Sequence, residues 1–311
     1  MQLPYEGRFS ELAKFVKLRR YRECAYSMMI GSYLDESFDK QPFGVYVVGG
    51  ILARYLAIFE LDRRWEQLRQ RPDIDIEYFK AYECERGSKQ FAKFCAVPGK
   101  PTAQERDRLN SISHEFLDLI VHPVPFDSQQ YICVHGVGVI QKDFYEVIQD
   151  PKAQAVLGSN PFRLAYDLAM IQCAWAMKQL GDAYTVTFIC DEDEEHSHVV
   201  SSDFKTLKDT NPKAAKYMDG FTTLDEKGCE PLQAADAAVY EVRKAIKFSL
   251  KDYEVSLRKQ FRILSDSSSM FLITYCEKKH LLEIVNTHKP GQRFYLDDQM
   301  DRIPPVENIK F

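Results

Sequence analysis

The feature that most constrains this chain is a pair of apolar runs close together in sequence. Ala25 to Leu34 runs into Asp35-Glu36-Ser37. After the break Phe38-Asp39-Lys40-Gln41-Pro42, a second run spans Phe43 to Ala53. A short polar break ending in proline between two such runs reads as a turn, so the pair is predicted as a β-hairpin. Gly49 and Gly50 fall in the second arm and mark a bulge or a close approach of another piece of backbone.

Helical and extended patterns alternate after the hairpin. Arg54 to Gln70 repeats apolar groups at 55, 58, 59, 61, 65 and 68, which is a helical period. Residues 74–82 fit a short strand or the start of a helix. Pro98-Gly99-Lys100-Pro101-Thr102 is a loop before a helix over 103–121, stopped by His122-Pro123-Val124-Pro125. Tyr131 to Ile140 reads as a strand. Asn160-Pro161 opens a helix with an Asn cap, Pro in the first turn and Gly181 past the end. A strand over 184–190, a helix over 202–217, a short strand near 219–224 and a helix over 232–248 follow. This order predicts an α/β fold with a mixed β-sheet flanked by helices. A further helix over 10–23 precedes it. The expected organisation is an N-terminal helical extension (1–24), a core (25–250) with an insertion around 84–130, and a C-terminal extension (251–311).

Charge narrows the function classes. Lys and Arg total 41 against 46 Asp and Glu, a net charge of −5, so contact with nucleic acid requires a local basic patch or bound cations. Two basic sets stand out: Lys14, Lys17, Arg19, Arg20 and Arg22, and Arg243, Lys244, Lys247 and Lys251. Eight dispersed cysteines without a C-x-x-C pair read as reduced core thiols. With no basic-then-apolar leader and no apolar run of membrane-spanning length, the expected location is the cytoplasm, with no membrane association. The oligomeric state is left open, a dimer included.

Three acids occupy unusual places. Asp35 follows one apolar strand and Asp191 ends another, while Asp236 shares a helix face with Leu232, Ala235 and Val239. A carboxylate buried there needs a partner or a cation, and carboxylates converging from two strand ends and one helix would attract a divalent metal. The plain alternative makes Asp35 part of a turn, 191–195 a solvated loop and Asp236 a partner of Arg243 or Lys244. His196 and His198 offer a rival metal site with Asp191 or Asp193. His135-Gly136-Val137-Gly138 lacks the third glycine of a dinucleotide fingerprint, and Cys133 and His135 read as core.

Taken in order, Tyr33-Leu34-Asp35-Glu36-Ser37, Val48-Gly49-Gly50, Ile189-Cys190-Asp191-Glu192 and Pro231-Leu232-Gln233-Ala234-Ala235-Asp236 resemble the DUF3800 family across residues 26–250. Phe38 stands where the family commonly has Gly, and Ala237 where a larger apolar residue is common. The resemblance implies an RNase H-like fold. It implies a site in which Asp35, Asp191 and Asp236 bind Mg²⁺ or Mn²⁺, with Glu77 or Glu36 as a fourth acid (Glu77 preferred) and Gln233 orienting Asp236 or a phosphate. The implied activity is that of a metal-dependent nuclease or related phosphodiester hydrolase with nucleic acid as partner. The alternatives are a non-catalytic nucleic-acid- or protein-binding member of the same fold and a hydrolase of a non-nucleic substrate.

Overall fold

The structure is a computed structural model that describes residues 29–39, 44–122, 132–180, 184–192, 197–250, 258–265 and 271–287. The expected helix over 10–23, its basic residues, the hairpin turn and His196 lie outside the described residues.

The two hairpin arms are β1 (Met29–Phe38) and β2 (Val45–Arg54). They pair antiparallel with Asp35 opposite Gly49 and Leu34 opposite Gly50. Helix α1 (Tyr55–Arg69) follows directly. Residues 74–80 form neither of the expected elements but an irregular segment leading into α2 (Ala81–Arg86), a 3₁₀ turn (Lys89–Phe94) and α3 (Ala103–Val121). Thr102 and Glu105 close a reciprocal capping box at the start of α3. Strand β3 (Ile132–Ile140) leads into α4 (Gln141–Val147), α5 (Pro151–Leu157) and α6 (Pro161–Leu180). Asn160 accepts a hydrogen bond from the Phe162 N–H at 2.9 Å, as its capping role requires. Then come β4 (Thr185–Asp191), α7 (Ser197–Thr210), α8 (Pro212–Ala215), β5 (Met218–Leu224), a 3₁₀ turn (Glu226–Gly228) and α9 (Glu230–Ser249). The C-terminal extension adds α10 (Lys259–Ser265), β6 (Phe271–Cys276) and α11 (Lys278–Thr287).

The six strands form one mixed sheet in the order β5-β4-β1-β2-β3-β6. Strands β1, β2 and β3 form an antiparallel meander. β4 runs parallel to β1, β5 to β4 and β6 to β3. The sixth strand was hidden in a tail without clear periodicity, yet Leu272, Ile273, Leu281 and Val285 are buried, so the extension completes the core.

Each face of the sheet carries its own core. On one, Leu34, Val48, Val137 and Phe188 meet α6. On the other, Tyr33, Val47, Ile51 and Ile189 meet α9, joined by Trp65 of α1 and Phe116 of α3. Alternation along β1 therefore sends Asp35 to the α9 face and Glu36 to the α6 face. The expected insertion is part of this second core. Phe79 is fully buried among Trp65, Phe91 and Phe116, with ring centroids 5.7, 5.8 and 4.4 Å away.

Helix α9 lies close to the sheet because both surfaces are small there. Gly50 has φ +150°, and a Cβ on it would sit 2.0 Å from the Tyr33 carbonyl oxygen and 2.8 Å from Ala235 Cβ. Only glycine tolerates that backbone and that approach. The contact brings Asp236, the residue after Ala235, down beside Asp35.

Candidate metal centre

Asp35, Asp236 and Glu226 form one buried group whose ligand oxygens all lie within 4.8 Å of one another. They come from β1, α9 and the 3₁₀ turn that joins β5 to α9. Their exposures are 4%, 6% and 8%. Two of the three are residues singled out in the sequence. The third, Glu226, was missed because Leu224-Asp225-Glu226-Lys227-Gly228 reads as an ordinary solvated turn. Its position at the end of a strand and just ahead of the Asp236 helix was the available signal.

The remaining candidates are placed differently. Asp191 ends β4 on the same face, with Cys190 opposite Leu34 in the parallel pairing. Its Oδ1 accepts the backbone N–H of Glu226 at 3.0 Å, so it anchors the turn that carries Glu226. Glu36 faces away from the group, and its carboxylate accepts the Tyr166 hydroxyl of α6 at 3.1 Å. Glu77 is exposed; its carbonyl accepts from Arg69 and its N–H donates to Gln90. The irregular course of 74–80 turns Glu77 to solvent, so the acid that the structure brings beside Asp35 and Asp236 is Glu226, not Glu77 or Glu36. His198 falls in the first turn of α7 (Ser197–Thr210), and its side chain lies outside the described residues.

Gln233 is fully buried and all its hydrogen bonds go to protein groups. Its carbonyl accepts from Trp65 Nε1 at 3.2 Å and from the Phe79 N–H at 2.8 Å. Its amide nitrogen donates to the carbonyls of Glu226 and Lys227 at 3.2 and 3.3 Å. Both ends of the Gln233 amide are thus committed to Trp65, Phe79 and the backbone of the Glu226 turn rather than to Asp236. Gln233 ties together the two irregular segments that bring Glu226 and Lys80 to the site.

Lys80 is the other group that sequence reasoning left out. Its ammonium lies 2.6 Å from Glu226 Oε2, 3.2 Å from Asp236 Oδ1 and 3.7 Å from Asp35 Oδ2. Asp236 is thus partnered by Lys80, not by Arg243 or Lys244. Its other oxygen accepts the Ala81 N–H at 2.7 Å, and Asp35 Oδ1 accepts the Glu36 N–H at 2.7 Å. Two buried oxygens, Asp35 Oδ2 and Glu226 Oε1, have no hydrogen-bond donor among the described residues.

The electrostatics follow from burial and crowding. Burial, opposed by Lys80 but reinforced by Asp236, Glu36 and Glu226, holds the Asp35 carboxyl well above the usual carboxylate range. Burial and the neighbouring Asp236 push Glu226 up to about 8 against the pull of Lys80. Burial also raises Asp191, partly offset by the Glu226 N–H. For Lys80, burial works against the charge, but Asp236, Asp35 and Glu226 outweigh it and hold the ammonium protonated well past the ordinary lysine range.

Of the second basic set, Lys251 lies outside the described residues and the other three are committed elsewhere. Arg243 binds Ser37 and Asp39 at 2.8 and 2.5 Å, Lys247 reaches Asp39 at 3.1 Å and Lys244 pairs with Glu85. Among the described residues no helix is long and apolar enough to cross a membrane, and the seven cysteines there are free. Comparison with protein-family models, curated protein sequences and solved structures gives no match.

Proposed function

We propose that the chain is a divalent-metal-dependent phosphodiester hydrolase acting on nucleic acid, built on an RNase H-like core of the kind the DUF3800 resemblance implies. One observation carries the reading: three carboxylates with mutually close oxygens, two of those oxygens buried without a donor among the described residues. A buried carboxylate oxygen left unmatched is costly, and a cation relieves that cost. An all-oxygen, carboxylate-rich donor set suits Mg²⁺ or Mn²⁺.

The setting supports the same reading. An antiparallel meander of β1–β3 with β4 and β5 added in parallel beside β1 is the strand arrangement expected of an RNase H-like sheet. Asp35 and Asp191 lie toward the carboxyl ends of adjacent parallel strands, where α/β sheets commonly bind ligands. When bound, the ion would supply an activated water and neutralise charge on the leaving oxygen. Asp35, Glu226 and Asp236 would hold it. Asp191 and Gln233 keep Glu226 in place through its backbone.

A second reading is favoured by Lys80. With an ammonium already among the three acids, the group also serves as a closed salt-bridge centre in a non-catalytic binding protein. The discriminating experiment adds Mg²⁺ or Mn²⁺ to the full-length protein with labelled single-stranded, duplex and RNA–DNA hybrid oligonucleotides, beside an Asp35→Asn control. Cleavage of one class by wild type, lost with EDTA and in the control, is the expected result. No metal-dependent cleavage in any arm moves the salt-bridge reading ahead.

A further inference from the structure

Lys80 is held where it is with unusual completeness. The preceding residue, Phe79, is locked in an aromatic cluster and donates its N–H to Gln233. The following residue, Ala81, donates its N–H to Asp236. The backbone on both sides is therefore pinned to α9, and only the four-carbon stem of Lys80 is free to choose a direction. Its side chain is 29% exposed, so a route to solvent is open, while its ammonium faces one oxygen from each of Glu226, Asp236 and Asp35.

That ammonium covers the group incompletely. Asp35 is 4% exposed, and its Oδ2 lies beyond hydrogen-bond distance of Lys80 at 3.7 Å, with no other donor among the described residues. Glu226 Oε1 is likewise unmatched. A single charge on a long stem meets the needs of three carboxylates less well than a divalent ion would. Two cations cannot share the same three oxygens, because they repel at such separations.

We propose that Lys80 is an exchangeable internal counter-ion: it holds Asp35, Glu226 and Asp236 together in the metal-free protein and turns out to solvent when a divalent cation takes its place. The inference rests on the metal-site reading above, and its test separates the two.

Mn²⁺ binding to the full-length protein is measured by electron paramagnetic resonance of the free ion, for wild type and for Lys80→Met, at fixed pH. Removal of the competing cation is expected to tighten binding roughly tenfold or more. In wild type, reductive methylation of lysines read by peptide mass spectrometry reports the side chain directly. Lys89 and Lys279, whose side chains are 70% and 72% exposed, serve as internal references. Mn²⁺ is expected to raise Lys80 labelling several-fold and leave the references unchanged. Should Lys80→Met fail to fold, the wild-type labelling decides the matter alone. Mn²⁺ binding with equal affinity in both proteins and no change at Lys80 overturns the exchange while leaving the metal site standing. Absence of Mn²⁺ binding in both overturns the metal site, and the exchange with it.

Discussion

The same sheet buries polar side chains on both faces, and it treats them in opposite ways. On the α6 face, Ser32 Oγ lies 3.1 Å from His135 Nε2 and 3.5 Å from Cys173 Sγ, and Cys173 lies 3.6 Å from the His135 ring. All three residues are fully buried. Burial alone pulls His135 down to about 4, and pushes the Cys173 thiol up to about 12 against the Ser32 hydrogen bond. This group is neutral, small and internally paired. On the α9 face, three acids and one lysine leave two buried carboxylate oxygens without donors among the described residues. A neutral trio closed on itself describes a core that specifies packing. A charged cluster left incompletely matched is the feature on which the proposed metal site rests.

The comparison predicts unequal costs of disturbance. The largest belongs to Gln233→Leu, which keeps the volume but strands the Phe79 N–H, the Trp65 Nε1–H and two carbonyls behind the charged cluster. A loss of about 4 kcal/mol in urea-unfolding stability is expected. A change below about 1 kcal/mol would mean those segments hold themselves in place.

Next comes a pH dependence of opposite sign on the two faces. Glu226, raised from 4.5 to about 8, contributes stability that is full below 4.5 and lost as pH rises through 8. His135, lowered from 6.5 to about 4, contributes stability that is full above 6.5 and lost as pH falls through 4. The two effects oppose each other between pH 4.5 and 6.5; from 6.5 to 8 the Glu226 effect runs without opposition from His135, and the raised Asp35 carboxyl acts in the same direction. The metal-free protein is therefore expected to lose about 2 kcal/mol over that upper window. Glu226→Gln should make the slope shallower, with the remainder carried by Asp35. An unchanged slope in that variant would place the titration elsewhere.

The smallest effect is expected on the neutral face. Ser32→Ala removes one hydrogen-bond partner and leaves His135 and Cys173 to each other, a cost of about 1 kcal/mol with no change in Mn²⁺ affinity. Altered metal binding would show that the two faces communicate through β1.

Much of the scaffold was legible because regular elements advertise themselves locally. Strand alternation alone puts Asp35 and Glu36 on opposite faces. Helical periods marked α1, α6 and α9, bounding loops marked α3, and the Asn160-Pro161 cap fixed the start of α6. Short or irregular pieces had no period to read, so α2, α4 and α5 went unseen, as did β6 in the tail. The same limit governed the site. Asp35, Asp191 and Asp236 announced themselves as acids against apolar patterns, whereas Glu77 was chosen from an acidic run whose backbone direction no local rule supplies.

What the sequence determined by itself was therefore the set of strands and helices and the acids that sit out of pattern on them, because periodicity and burial cost act over a few residues. What only the tertiary structure decided was which irregular segments reach those acids. Glu226 and Lys80 arrive on stretches without secondary-structure signal. They are held by Gln233, whose partner Phe79 lies 154 residues away in the chain. Hydrogen bonds and charge pairs across such separations depend on how two packed cores bring their edges together, and no local pattern of residue types encodes that meeting.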